Sequence, residues 1–511
     1  MLRFRIALFA VAVAAVAAPA AATVYDVGPG QPLAAIGDAP WATLMPGDVV
    51  QIHYRAAPYQ EKWVIGRSGT AAAPIVVRGV LGPGGERPVI SGASATTPAP
   101  LDFTNDARGV LKIGTSNVPD ETLPQHIVVE NLEIRSAQPA YSFSDDHGVT
   151  QSYAQNAAAL YVERAAHLVI RNCVLHDAGN GLFIGAFDGD TRDILIEGNF
   201  IYGNGNAGSI YEHNAYTAAI GIVYQYNRFG PLRDGSGGNN LKDRSAGLVV
   251  RENWIEGGNR QLDLVDGEDT PAIPADPSYH ETFVYGNVLI EPDGAGNSQI
   301  VHYGGDSGDE SIYRKGTLHF FHNTVVSYRS GNTTLLRLST DAETADVRNN
   351  VLYVSASGDL LGILDATGTA LLSHNWTKPG WVATHSGGAA GVVDDGSGIV
   401  SAAPGFADEA NGDFRPAPGA PIIDVGTALN PDVLPDHAVT RQYVEHQSSE
   451  ARPNDGLPDL GAFEYCAVPC PEPAGAAAFA AVVVATCGLA ARPRARALQT
   501  RPRRPIHSQD G

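Results

Sequence analysis

The sequence predicts an all-β protein built as a single-stranded right-handed parallel β-helix, a solenoid with an N-terminal cap. Three observations predict it. With Gly 57 and Pro 34 against Met 2 in 511 residues, the chain is rich in turn formers and avoids long helices, while 44% hydrophobic and 17% charged residues suffice for a core. A unit also recurs in which a β-rich run meets an asparagine and a few more apolar-patterned residues. It is centred on Asn131, Asn172, Asn199, Asn227, Asn253, Asn287, Asn323 and Asn350, at intervals of 41, 27, 28, 26, 34, 36 and 27 residues. Repeats of roughly 20–50 residues indicate a solenoid. Finally, the units are β-branched and aromatic and punctuated by Gly and Asn, whereas helical repeats would show a 3.6-residue period.

The two ends read as addresses. Arg3 and Arg5, the apolar run from Ile6 to Ala18 and the small residues Ala20-Ala21-Ala22 form the three-part pattern of a secretory signal peptide over residues 1–22. Residues 466–511 hold Pro471-Glu472-Pro473, an apolar stretch at 474–491 and then Arg492, Arg494, Arg496, Arg501, Arg503 and Arg504. This tail resembles the PEP-CTERM sorting signal of exported bacterial proteins. The resemblance implies processing by exosortase-type machinery, transient membrane anchoring and a secreted or cell-surface destination. The 18 residues from 474 to 491 reach the lower limit of a bilayer span, ~17–25 residues, with the arginines left on the cytoplasmic side.

The formal net charge is −21. Residues 23–491 retain 26 basic against 54 acidic residues, a net −28, which repels nucleic acid and anionic membranes. Cys173, Cys466, Cys470 and Cys487 offer neither a disulfide framework nor zinc spacing. Residues 23–465 form the solenoid body, for which a capped monomer is expected.

Within each unit the asparagine suits a left-handed bend, and stacked asparagines can hydrogen-bond along the axis, so their role is structural. A second strand per coil starts on an apolar anchor: Leu160, Leu182, Ile210, Leu241, Leu262, Ile300, Leu335 and Leu360. With anchors inward, the next residue and the one two beyond it point outward. The first outer column reads Tyr161, Phe183, Tyr211, Lys242, Asp263, Val301, Leu336, and the second Glu163, Gly185, His213, Arg244, Val265, Tyr303, Leu338. Glu212 and Asp243 then face inward, which signals a bend or a one-residue slip.

Ionisable groups concentrate on three successive coils, and Tyr211, His213, Lys242 and Arg244 are the expected catalytic residues. Six basic residues lie between 228 and 260, namely Arg228, Arg233, Lys242, Arg244, Arg251 and Arg260. Such a patch on a polyanionic protein suits a uronate, because guanidinium grips carboxylate bidentately. Neutralising that carboxylate acidifies the neighbouring C5 proton, so a Lys, Tyr or His beside it can drive β-elimination. Arg233, Arg251, Arg260, Asn240, Asn214 and Tyr303 are the expected substrate-binding residues. The acidic run Asp263, Asp266, Glu268, Asp269 has two further uses: paired carboxylates can hydrolyse a glycoside, and Asp263, Asp266 and Glu268 can hold Ca²⁺. Plain ion pairing of Lys242 with Asp263, and a non-catalytic glycan-binding surface or biofilm-matrix protein, are the readings to weigh against catalysis.

Residues 25–465 resemble the secreted right-handed β-helix proteins of the pectate lyase-like superfamily. The opening coils carry Pro46-Gly47-Asp48-Val49-Val50-Gln51-Ile52 and Pro88-Val89-Ile90-Ser91-Gly92. The closing segment carries Gly412-Asp413-Phe414 and Pro458-Asp459-Leu460-Gly461-Ala462-Phe463-Glu464-Tyr465. Asn240-Leu241-Lys242-Asp243-Arg244-Ser245, followed by Arg251-Glu252-Asn253, is similar to the lysine-bearing segment of the alginate lyase and chondroitinase B group. The resemblance implies an acidic polysaccharide substrate and makes Lys242 the base. That group carries an arginine about one coil further on, where this chain has Asp263.

Overall fold

The computed structural model describes residues 22–120, 123–387, 391–454 and 456–465. The leader up to residue 21 and the tail from residue 466, with three of the four cysteines, lie outside the described residues, as does the short unit Pro469–Gly511. No helix among the described residues is long and apolar enough to cross a membrane.

Three long parallel sheets of thirteen, ten and eleven strands make up the solenoid. One coil runs through Asn180–Ile184 in the ten-stranded sheet, Arg192–Glu197 in the thirteen-stranded sheet and Phe200–Tyr202 in the eleven-stranded sheet, and Ala215–Thr217 opens the next. This is the right-handed parallel β-helix that the repeat spacing predicts. At the N-terminal end, Ile36, Trp41 and Leu44 join the axial core between the strands Val24–Val27 and Val49–His53, and the Trp41 and Trp63 rings lie 5.5 Å apart, tilted by 30°.

The repeat asparagines occupy two adjacent columns rather than one. The turn from the thirteen- to the eleven-stranded sheet begins with a residue at positive φ: Asn131, Asn172, Gly198, Tyr226, Glu252, Gly286, His322, Asn349 and His374. The residue after it starts the hydrogen-bonded ladder, and from Asn199 onward that position is Asn227, Asn253, Asn287, Asn323, Asn350 and Asn375, all buried. Asn199 Nδ2 donates to Asn227 Oδ1 at 3.0 Å, Asn227 to Asn253 at 2.9 Å, and the relay continues to Asn375. Each side-chain oxygen also accepts the backbone N–H of the preceding asparagine, as Asn227 Oδ1 does from Asn199 at 2.9 Å. Asn131 and Asn172 therefore belong to the bend column, and Leu132 and Cys173 hold the ladder position on their coils. The sequence merges the columns because asparagine suits both the left-handed bend and axial stacking.

The closing segment packs outside the solenoid. Phe414, Ile422, Tyr443, Leu460 and Phe463 cluster with Trp254, Val288, Val326, Val351 and Trp376 of the eleven-stranded sheet, and Val433 with Phe283, Tyr285 and Phe321 of the thirteen-stranded sheet. Neither cluster, among the described residues, includes a strand of the ten-stranded sheet. The outer face of that sheet carries an aromatic and charged column that includes Tyr161, Phe183, Tyr216, Lys242, Asp263 and His302.

The two asparagine columns differ in what a glycine would cost. Asn199→Gly strands the Cys173 N–H and the Ile170 carbonyl, both of which pair with the Asn199 side chain at 2.9 Å, and is expected to cost about 2–4 kcal/mol. Asn172 sits at φ 52°, which glycine adopts freely, so Asn172→Gly is expected to change stability by less than about 1 kcal/mol. Urea unfolding of the two variants checks the contrast.

Candidate functional site

The short strands of the ten-stranded sheet build a wall by vertical pairing. Phe183 pairs with Tyr216, Tyr216 with Lys242, Lys242 with Asp263, Asp263 with His302 and His302 with Arg337. Rungs lie ~4.8 Å apart, so Tyr216 to Arg337 spans roughly 19 Å along the axis. The intervening residues turn inward: Leu241, Leu262 and Val301 enter the core, as do Leu264 and Tyr303 two places on.

This register corrects part of the expected columns. Ile210 is not an anchor: it is 62% exposed and Tyr211 77% exposed, on the loop before the strand Ala215–Thr217. Ala215 is the true anchor and Tyr216 takes the place expected for Tyr211. Ile300, Leu335 and Leu360 are also displaced, since the pairings run Leu262 to Val301, Val301 to Leu336 and Leu336 to Leu364. Tyr303 therefore lies in the core and cannot meet a substrate outside, and His302 stands on the wall instead. Glu212 belongs to the same loop as Tyr211. The inward placement of Asp243 is correct.

Lys242 lies at the centre of the wall with its side chain 12% exposed. Its ammonium lies 3.3 Å from Asp263 Oδ2 and pairs closely with Asp306 Oδ2. Asp306 Oδ1 meets Arg244 at 2.8 Å, so this one carboxylate bridges both cations. Arg244 is nearly buried; it also donates through Nε to the Tyr216 hydroxyl at 2.9 Å, to the Asp266 carbonyl at 2.7 Å and to Glu268 at 2.7 Å. Burial opposes its charge, but Tyr216, Asp306 and Glu268 together favour the guanidinium. Burial pushes the Tyr216 hydroxyl up to about 12, against the pull of Arg244.

Two imidazoles flank Lys242. His213 is buried, its Nδ1 accepts the Asn239 N–H at 2.8 Å, and burial followed by the Lys242 charge pushes it down to about 3. It is therefore neutral with its proton on Nε2, which makes it a hydrogen-bond donor. His302 donates from Nδ1 to Asp263 Oδ1 at 2.8 Å. Asp263 also accepts from Asn239 Nδ2 at 2.7 Å and faces Arg260 at 3.7 Å. Burial alone would raise the Asp263 carboxyl, but the His302 hydrogen bond and the neighbouring Lys242 and Arg260 charges hold it below the usual carboxylate range.

The expected basic patch is dispersed by the fold. Arg233 pairs with Asp177 at 2.6 Å in a loop leaving the eleven-stranded sheet. Arg251 lies on the thirteen-stranded sheet against Gln225 and Tyr285. Arg228 covers the Phe200 ring. Arg260 alone joins Lys242 and Arg244 at the wall, through Asp263 and Gln299. Asn214 and Asn240 are buried and hydrogen-bond to each other at 2.8 Å, with Asn240 Nδ2 capping the carbonyls of Gly230, Glu256 and Gly257, so both brace the turn and face no ligand.

Asp263, Asp266 and Glu268 do not form the cation cage expected of them. Asp263 is enclosed by His302, Asn239, Lys242 and Arg260, Glu268 pairs with Arg244, and Asp266 Oδ1 accepts the Asp306 and Ser307 N–H groups at 2.7 and 3.3 Å. Among the described residues, the group of three or more His, Cys or acidic residues whose ligand atoms all gather within 4.8 Å of one another is Asp145, Asp146 and His147.

Sequence reasoning missed Asp306 and the residues that seat it. Its loop is closed by the Arg314 N–H, which donates to the Gly304 carbonyl at 3.1 Å, while the fully buried Arg314 side chain donates to the carbonyls of Val265 at 2.9 Å and Ser245 at 2.8 Å and lies 3.5 Å from Asp243. Asp243 accepts further from Thr217 at 2.7 Å and from the Ser245 backbone at 2.7 Å, which satisfies the inward carboxylate. The Gly304-Gly305 and Gly308 pattern around Asp306 was the available signal.

Ionised Asp263 contributes stability above its unfolded value near pH ~4, and that contribution is lost as pH falls through the lower folded value. Asp263→Asn is expected to lower the thermal unfolding midpoint at neutral pH and to flatten its decline between about pH 4 and pH 2. Melting curves across that range check both effects.

No protein-family model and no curated protein matches the chain. Similar solved structures include an alginate lyase from Paenibacillus sp. str. FPU-7, at 14% identity over 65% of this chain and 92% of that one, with a TM-score of 0.40. Another is the pectate lyase Pel9A, at 13% identity over 87% and 97%, TM-score 0.47. A third is a lacto-N-biosidase from Eubacterium ramulus, at 11% identity over 74% and 67%, TM-score 0.37. The likeness is one of fold.

Proposed function

We propose that the protein is an exported enzyme that cleaves a uronate-containing polysaccharide by β-elimination on the ten-stranded wall. One observation carries the reading: a carboxylate, that of Asp306, bridges Lys242 and Arg244 beside the Tyr216 hydroxyl. A substrate uronate entering in exchange for Asp306 would place its own carboxylate between the same two cations. Their charge would withdraw electrons from C5, acidify its proton and stabilise the enolate-like transition state.

The roles follow from the contacts. Lys242 was the expected base, but it is engaged as an ammonium by two carboxylates, so carboxylate neutralisation suits it better. Tyr216 is the better proton carrier. Its phenolate, favoured by the Arg244 Nε contact, takes the C5 proton, the C4–O4 bond breaks, and the phenol returns the proton to O4. His213 adds a neutral donor. Hydrolysis by the acidic run would need two carboxylates free to face a glycosidic bond, and Asp263 and Glu268 are both held in ion pairs. Export rests on the leader pattern of residues 1–22.

The test is incubation with alginate, pectate and glycosaminoglycans while following ultraviolet absorbance of the unsaturated uronate. Tyr216→Phe is expected to lower the rate about 10²–10⁴-fold, and Tyr211→Phe to leave it unchanged. The active phenolate gives a defined sign with pH. Because burial raises Tyr216 to about 12, kcat/KM should climb about tenfold per pH unit through the neutral and mildly alkaline range. Glycan binding without unsaturation in the native protein would turn the reading toward a non-catalytic surface protein.

A further inference from the structure

Beyond the elimination site, the same wall holds a second arrangement, one member on each of three successive coils. Asp263 lies on the strand Leu262–Leu264, His302 on Gln299–Tyr303, and Ser339 follows Thr333–Leu338. His302 Nδ1 is 2.8 Å from Asp263 Oδ1 and His302 Nε2 is 2.9 Å from Ser339 Oγ. We propose that Asp263, His302 and Ser339 form an acid–base–nucleophile relay that hydrolyses a short acyl ester of a sugar hydroxyl.

The hydrogen-bond directions are consistent with that role. Asp263 is enclosed by donors and ionised, so it accepts a hydrogen bond from the His302 Nδ1–H and fixes the tautomer with a lone pair on Nε2. Ser339 must then be the donor in its contact with Nε2. The Gly305 N–H donates to Ser339 Oγ at 2.9 Å and holds the nucleophilic oxygen in place beside His302. The hydroxyl has alternative acceptors in the Gly305 carbonyl at 2.9 Å and the Tyr303 carbonyl at 3.4 Å. Ser339 is half-buried while His302 is buried, which exposes the nucleophile and shields the base. Gly304, at φ +132°, is the residue against Ser339, and a Cβ there would come within 2.6 Å of Oγ. Its bare backbone leaves the oxygen approachable by a small acyl group.

The chemistry balances with water as the only co-reactant. Ser339 Oγ bonds to the acyl carbon as its proton passes to His302 Nε2. The ester C–O bond breaks, and the departing sugar oxygen takes that proton. Water then attacks the acyl-serine, again through His302, releasing the carboxylic acid and restoring the serine.

The experiment uses the full chain with p-nitrophenyl acetate and an alkyl fluorophosphonate. The expected result is p-nitrophenol release that falls about 10³–10⁴-fold in Ser339→Ala, with a phosphonyl adduct mapped by peptide mass to Ser339 and absent from that variant. Ser339→Cys is expected to retain a measurable acyl-enzyme burst. Ester hydrolysis absent from the native protein, or undiminished in Ser339→Ala, or an adduct on another residue, would overturn the proposal. Unsaturated uronate formation is a separate readout, so failure here and failure of the elimination reading are distinguishable.

Discussion

Neighbouring coils of this solenoid cannot slip by one residue without placing Lys242 or Asp263 in the core and Leu241 or Leu262 in water. The buried asparagine relay from Asn199 to Asn375 reinforces the same constraint from the opposite side of the coil, because each side chain both donates and accepts along the axis. Residues 20 to 40 positions apart in the chain are thereby set one rung apart on a wall. Tyr216, Lys242, Asp263 and His302 are neighbours for this reason alone, as no turn or helix brings them together.

The electrostatics of the wall follow from that neighbourhood. Lys242, Arg244 and Arg260 sit among Asp263, Asp266, Glu268 and Asp306, so the cations are matched by carboxylates rather than forming the basic patch their spacing in the chain suggests. Burial magnifies both sides of the balance: it opposes the charge on His213 and Asp263 alike, yet Asp263 stays ionised because four cationic or donor groups face it, His302, Asn239, Lys242 and Arg260. On the proposed reading, a wall of this kind would bind an anion by exchange. Asp306, which bridges Lys242 and Arg244, is placed for such an exchange, with its side chain 30% exposed and its loop turning on glycines.

Much of this was legible in the sequence. The repeat predicted the fold, and the anchors Leu160, Leu182, Leu241 and Leu262 pair as expected, which placed Lys242 over Asp263. The failures have physical causes. Ile210-Tyr211-Glu212-His213 alternates like a strand but lies in a loop, while the true anchor Ala215 carries almost no hydrophobic signal. At Ile300-Val301 and Leu335-Leu336 both members of each pair are buried, so polarity could not choose between registers one residue apart. Asp306 and Ser339 come from turns whose geometry no period describes. Asn131 and Asn172 were merged with the ladder because one residue type serves two neighbouring backbone roles.

The most direct measurement is a crystal structure of the protein soaked with an oligouronate. Sugar density is expected along the ten-stranded wall, with one carboxylate between Lys242 and Arg244, C5 facing the Tyr216 hydroxyl, and Asp306 withdrawn. Oligouronate bound elsewhere on the solenoid, with Asp306 still bridging the two cations, would contradict it.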